Sequence, residues 1–421
     1  MSTQHKLLEV EKDILNNFNQ YLNKLPGDKT VQAVRKKAIE LFQSAGLPSR
    51  KIENWHYTNL RTLLKSVSHF SEIYDDGQSV DALLSESAVF SIKNGKTSTQ
   101  SQVKNIIVKR LADALKENSV KIDQVSSHED FIGQLNTAFF TDGWLFHIPE
   151  NTKLNVPIEL QNVQMGGQAH IFSDIKIDQN SQATFIEHQI GSDQDTFVSS
   201  ISSLQVAAYS DVTWIIIRNH DFNSTHFGRF RATLGQGAKL SLYVLNIGSQ
   251  LNRQEIDIEL QGAESDFQLR VINLLSGQTH SDLTMTVRHV EEQSTSTEVI
   301  RNVVTDKAVG AFQGMIRVAP KAQKTDARMA CNSLILSDNA EFNAKPELEI
   351  FADDVACGHG ATVANINHDY LFYLMARGIP FKTAHALLIK GFISELIDEI
   401  PQDNIQTVLR NIIVKWLEKN V

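Results

Sequence analysis

Ile171-Phe-Ser-Asp-Ile-Lys-Ile-Asp178 and the five residues after it, Gln179-Asn-Ser-Gln-Ala183, decide the fold class. Ile175 and Ile177 alternate with Asp174, Lys176 and Asp178, the period of two by which a strand sends successive side chains to opposite faces. The next five residues are polar with a small residue among them, and another strand-like run follows directly, so strand succeeds strand through a short turn. Ser202-Ser-Leu-Gln-Val-Ala-Ala-Tyr209 and Glu255-Ile-Asp-Ile-Glu-Leu260 repeat the alternation. Leu234-Gly-Gln-Gly-Ala238 and Leu260-Gln-Gly-Ala-Glu264 repeat the turn. Aligning Ser181, Ser210, Gly237, Ala263 and Ser294 gives steps of 29, 27, 26 and 31 residues, too loose for a strict repeat. Many short strands without helices between them define a mainly β region from about Asp142. The pattern leaves a sandwich, a barrel and a stacked β-solenoid open. A solenoid accommodates irregular turns well, because each rung touches only its neighbours.

Outside this region the period is helical. Leu7, Leu8, Ile14, Leu15, Phe18 and Leu22 recur at three- and four-residue steps until Pro26-Gly27, and Val31–Phe42 forms a second amphipathic run closed by Gly46 and Pro48. Residues 67–140 are mixed. Asp75-Asp76-Gly77 and Asn94-Gly95 separate short apolar runs there, and Val103–Leu115 reads as a helix. Near Asn367 the helical period returns, with runs at Asp369–Arg377, Phe381–Ile400 and a last helix carrying Ile405, Val408, Leu409, Ile412, Ile413, Trp416 and Leu417. That stripe reads as packing on its own domain, with a partner groove as the alternative.

Composition narrows the function. The 421 residues carry 40 Lys+Arg against 49 Asp+Glu, a net charge of −9 that argues against a nucleic-acid platform. Two cysteines, Cys331 and Cys357, are too few for a disulfide framework or a four-thiolate metal site within one chain. Met1–Lys12 has no apolar leader, and no run approaches the ~18 residues of a spanning helix. The expectation is a soluble cytoplasmic protein with no membrane contact. Asn94-Gly-Lys-Thr97 resembles the tail of a phosphate-binding loop, but Phe90 stands where that loop needs glycine, so no nucleotide site is expected. His188, His220, His226 and His289 read as structural or surface side chains.

One segment carries chemistry: Phe351-Ala-Asp-Asp-Val-Ala-Cys-Gly-His-Gly-Ala-Thr362. Cys357 and His359 are two apart, so a strand sets both on one face, and a thiolate beside an imidazole suits iron or zinc. Asp353 and Asp354 are candidate oxygen ligands or hydrogen-bond partners upstream. Two ligands make an incomplete site, since closed metal sites usually have four. A buried structural Cys beside a hydrogen-bonded His is the plain alternative, and a Cys–His nucleophile pair lacks an identifiable third group. Cys331, in Met329-Ala-Cys-Asn-Ser-Leu334, reads as structural.

The segment Lys345-Pro-Glu-Leu-Glu-Ile-Phe-Ala-Asp-Asp-Val-Ala-Cys-Gly-His-Gly-Ala-Thr-Val363, with Leu371-Phe-Tyr-Leu-Met-Ala-Arg-Gly-Ile379, closely resembles the C-terminal signature of the SufB/SufD family, on its SufD side. This family belongs to the SUF iron–sulfur cluster assembly machinery. Gly46-Leu-Pro-Ser-Arg-Lys-Ile-Glu-Asn-Trp-His-Tyr-Thr58, Leu135-Asn-Thr-Ala-Phe-Phe-Thr-Asp-Gly143, Phe312-Gln-Gly-Met-Ile-Arg-Val318 and Gln323-Lys-Thr-Asp326 are similar to family segments in the same order. Gly358 and Ala356 stand where the family usually has serine and lysine.

The resemblance implies a mainly β protein: a right-handed parallel β-helix core (141–366) between an N-terminal helical and mixed domain (1–140) and a C-terminal helical domain (367–421). It implies a non-catalytic scaffold that pairs with SufB through the end of the β-helix and docks the ATPase SufC on the C-terminal helices. A homodimer is the form considered when SufB is absent. His359 and, less directly, Cys357 are implied to hold iron or a nascent, transient iron–sulfur cluster shared with SufB. Leu371, Phe372, Leu374, Leu387, Leu388, Phe392 and Leu396 are the residues expected to serve partner binding. A purely structural interaction module, or the sister scaffold SufB itself, are the alternatives.

Overall fold

Alternating side chains on successive short strands build two long sheets, one of ten strands and one of nine, and neighbours within a sheet are alternate strands in the chain. From Trp144–Ile148 onward the chain therefore crosses from one sheet to the other at every turn, making a parallel β-solenoid of about seven turns. This computed structural model describes residues 7–70, 80–122, 125, 127–191, 194–220 and 223–421, so the polar stretch at Asp75-Asp76-Gly77 lies outside the described residues. Inward-facing side chains such as Phe185, Trp214, Leu242, Leu269 and Ile300 form one continuous core along the axis. The sandwich and barrel readings are thereby excluded.

Register explains why the repeat reads loosely in sequence. Asp211, Lys239, Asp266, Thr295 and Asp326 each donate a backbone N–H to the residue that ends the turn one rung below: Ser181, Ser210, Ala238, Ser265 and Ser294. The strands paired from Gln182 through Asp326 are offset by 29, 28, 27, 29 and 31 residues. Gly237 and Ala263 are therefore one and two positions short of true equivalence. Gly237 fills the preceding position, where the backbone is left-handed, and Asn180, Tyr209, Glu264, Gln293 and Lys324 all adopt positive φ there. A glycine at a corner marks the left-handed residue, whereas the buried small residue that follows it marks the rung.

The N-terminal end of the solenoid is closed by antiparallel strands. Ala88–Lys93 pairs in parallel with Ile158–Gln164 and antiparallel with Lys96–Gln100, and Ile107–Arg110 pairs antiparallel with Trp144–Ile148. Asn94 and Gly95, both at positive φ, are the two-residue turn of the first hairpin. The expected helix Val103–Leu115 is a strand at Ile107–Arg110 followed by a short helix, Leu111–Lys116. Asp142, 2% exposed, forces the change by bonding the Ala112 amide, the Arg110 guanidinium and Thr97.

Helices Glu9–Tyr21 and Lys29–Ala45 form where the apolar period predicts, and the Asp28 carboxylate caps the second through the amides of Thr30 and Val31. Helix Phe131–Phe139, buried throughout, packs between Lys29–Ala45 and the solenoid. Arg35, fully buried, donates to the carbonyls of Ala138 and Phe140 at that helix's C-terminal end and to that of Pro26. Burial pushes its guanidinium down to about 9.

At the other end come helices His368–Ala376, Phe381–Asp398 and Asp403–Asn420. In the terminal stripe, Ile405, Leu409, Ile413, Trp416 and Leu417 pack onto the outer face of the ten-stranded sheet with Ile215, Leu245, Ile272 and Val303. The stripe belongs to its own chain. Among the described residues no helix is long and apolar enough to cross a membrane.

Candidate functional site

The solenoid ends in two strands without a further rung. Ala356–Ala364 is the last strand of the ten-stranded sheet and Glu341–Ile350 the last of the nine-stranded sheet. Cys357 and His359 lie on the former, in register with Ala327 and Met329 of Asp326–Ile335. Ala327 and Met329 are core residues, 0% and 2% exposed, so Cys357 and His359 continue an inward-facing row. The row runs out there: Cys357 is half-buried against the core, and His359 is exposed. Burial pushes the Cys357 thiol up, the backbone at Ala327 pulls it down in part, and the nearby charges of Asp326 and Glu298 raise it. A Cβ built on Gly358 or Gly360 would meet nothing within 4 Å. Packing within this chain does not require either glycine.

Cys357 and His359 are thus brought onto one face, but Asp353 and Asp354 are not brought to them. Those two sit in an exposed turn, where the Asp354 amide donates to Gln323 Oε1 at 2.9 Å. Among the described residues no group of three or more His, Cys, Asp or Glu is placed to hold a metal ion.

Cys331 is buried in the core, its Sγ 3.5 Å from Asn302 Nδ2, and burial pushes the thiol up to about 12. It stays protonated, as a packing residue would. His226 meets the Ser200 hydroxyl at 3.1 Å, His289 is held between Ser294 and Ser296, and His188 lies 3.7 Å from Glu159. These are structural histidines, and the His220 side chain lies outside the described set.

The expected partner-binding residues divide by burial. Phe372 is 73% and Leu387 46% exposed, whereas Leu374, Leu388 and Phe392 are half-buried, with the Arg301 guanidinium over the Phe392 ring. Leu371 is buried, and Leu396 packs into the cluster that holds the C-terminal helices to the solenoid. Exposed Tyr370, Tyr373, Met375 and Phe381 extend the apolar surface beyond that expected set.

Sequence reasoning gave no role to the residues that seat the N-terminal motif. Trp55 lies under the Arg253 guanidinium, which also binds Asp282 at 2.7 Å, Glu255 at 3.1 Å and the Asn54 carbonyl at 2.7 Å. The Thr58 hydroxyl donates to Asp282, and Glu53 pairs with Lys345. Glu53-Asn-Trp-His-Tyr-Thr58 is the clasp that joins the N-terminal domain to the nine-stranded sheet. Its sequence signal was the motif itself.

Comparisons with known proteins agree with this architecture. Residues 161–392 match the SUF system FeS cluster assembly, SufBD core domain, and residues 9–72 match the SufBD protein N-terminal region. The chain is 29% identical over 397 residues to the iron–sulfur cluster assembly protein SufD of Escherichia coli (strain K12), covering 89% of this chain and 90% of that protein. It is 24% identical to SufD of Bacillus subtilis (strain 168), covering 96% and 98%, and 26% identical to a SufBD family protein of Synechocystis, covering 96% and 94%. With a core-domain match spanning more than half its length and an unclosed parallel solenoid ending in Cys357 and His359, this chain belongs to the SufBD family of SUF iron–sulfur cluster assembly proteins.

Proposed function

We propose that the chain is a SufD-type scaffold, without catalysis of its own, that pairs end to end with a SufB-type subunit and docks a SufC-type ATPase on its C-terminal helices. One observation carries this reading: the solenoid stops at an exposed edge strand whose inward row ends in Cys357 and His359. An unpaired parallel edge is a template for another chain, and two ligands are half of a tetrahedral site. A partner's solenoid end would supply the missing rung and the missing ligands. Open space above Gly358 and Gly360 favours close approach of that partner's backbone. The cargo is iron or a nascent iron–sulfur cluster, which soft thiolate and imidazole donors suit. Exposed Phe372, Leu387 and their neighbours are an apolar surface of the kind that marks a protein contact, and they favour the ATPase dock. The site of action is the cytoplasm.

The half-buried state and raised thiol of Cys357 favour a second reading, in which the chain is purely a structural module and the Cys–His pair holds nothing. Co-purification separates the proposals. Val363→Pro, which disrupts the exposed end of the edge strand, is expected to lose the SufB-type partner while keeping the SufC-type one. Phe372→Ser with Leu387→Ser is expected to do the reverse. Retention of both partners by both variants would sink the docking assignments.

A further inference from the structure

Inside the solenoid, Gln189, Arg218, Asn246, Asn273, Asn302 and Ser333 stack in one inward row, each in register with the next. All are buried, from 0% to 6% exposed. The upper half of the row is satisfied: Asn273 donates to Asn302 at 2.7 Å, and Asn302 to Ser333 at 3.0 Å. Around Arg218 the accounts do not close. Among the described residues its guanidinium makes one hydrogen bond, from Nη2 to Gln254 Oε1, while Nε and Nη1 have no hydrogen-bond partner. Gln189 Oε1 and Asn246 Oδ1, on the rungs either side, also lack a partner.

Unpaired donors and unpaired acceptors thus alternate along three rungs. Buried polar groups are normally bonded to protein or to ordered water. A small anion would satisfy the guanidinium but leave the amide oxygens unbonded and facing negative charge. Water satisfies both kinds, accepting from Arg218 and donating to the amides. The facing sheet is small at this level, with Ser200 and Gly228 opposite, and a Cβ on Gly228 would fall 2.4 Å from Gln254 Oε1 and 3.0 Å from Arg218 Nη2. Burial pushes Arg218 down only to about 10, with Glu187 opposing, so it is charged at neutral pH.

We infer that the solenoid interior at Arg218 is a hydration site, in which ordered water molecules bridge the guanidinium to Gln189 Oε1 and Asn246 Oδ1. This goes beyond the scaffold assignment and does not depend on it. The site fixes strand register, because a one-residue slip would turn Arg218 outward and bring Ile217 into the polar row.

A high-resolution crystal structure of the full chain, from crystals soaked in bromide, tests it directly. Water within hydrogen-bond distance of Arg218 Nε or Nη1 and of either amide oxygen is the expected result. An anomalous bromide peak at Arg218, or direct guanidinium–amide bonds with no water between, overturns it. In solution, oxygen-17 relaxation dispersion counts long-lived internal waters. Arg218→Met is expected to lose on the order of one to three of them, and an unchanged count in the folded variant contradicts the site.

Discussion

The Arg253 guanidinium sits 3.8 Å from the ring centroid of Trp55, 198 positions earlier in the chain, and both side chains are fully buried. Arg253 and Asp282 form an ion pair with both members at 0% exposure. Removing one partner of such a pair strands the other charge, which costs roughly 3–5 kcal/mol, whereas replacing both with apolar groups costs far less. Arg253→Met alone and Asp282→Leu alone are each expected to lower stability by that order, with the double variant closer to wild type. Urea unfolding of the three variants checks this, and protease susceptibility near residue 50 should rise with the single changes.

Glu298 faces the core beneath Met329 and His359, fully buried, and among the described residues neither carboxylate oxygen has a hydrogen bond of normal geometry. Burial pushes its pKa from 4.5 up to about 8, with Ser296 and Arg270 offsetting only part. The folded state therefore holds a proton that the unfolded state releases. The stability this proton contributes is fully present below 4.5 and is lost as pH rises to about 8, at about 1.4 kcal/mol per pH unit. Glu298→Gln should match wild type near pH 4.5 and gain progressively up to pH 8. Urea midpoints across that range measure the difference.

His289 shows the opposite sign. Enclosed by Ser294 and Ser296, it is pushed from 6.5 down to about 4 by burial, so the unfolded chain binds its proton first. Its contribution is present above 6.5 and is lost as pH falls toward 4. His289→Gln should flatten that acid limb while leaving the alkaline side unchanged, as thermal unfolding at pH 4.5 and 7.5 would record.

The C-terminal helices separate surface from support. Leu396, 2% exposed against the solenoid, should cost about 2–5 kcal/mol on change to alanine. Phe372, 73% exposed, should change stability by no more than about 0.5 kcal/mol. A calorimetric comparison of Leu396→Ala and Phe372→Ser measures both, and equal melting shifts would refute the division.

Much of this was legible from sequence. Period-two strands from Ile171 onward, the helix stops at Gly46 and Pro401, and the shared face of Cys357 and His359 all follow from local spacing. The choice of solenoid over sandwich does not, because alternation looks alike in both and strand order is a long-range property. It came from the resemblance around Cys357-Gly-His359. Helix Phe131–Phe139 is hard to recognise because it is only nine residues long and follows a mixed polar stretch, although Phe131, Ile132, Leu135 and Phe139 do recur at helical spacing. The contacts of the clasp at Trp55 and of the polar row at Arg218 cannot be read from local spacing, because their partners lie on other rungs, up to 292 residues away.

In the proposed scaffold, His359 at the unclosed end takes part in holding cluster or iron with a SufB-type partner. The direct measurement is coexpression of the full chain, wild type or His359→Ala, with SufB- and SufC-type partners, followed by visible absorption and iron content of the purified complex. For the variant, the expected result is a complex recovered in normal yield with little or no cluster. A complex with wild-type cluster content would contradict it.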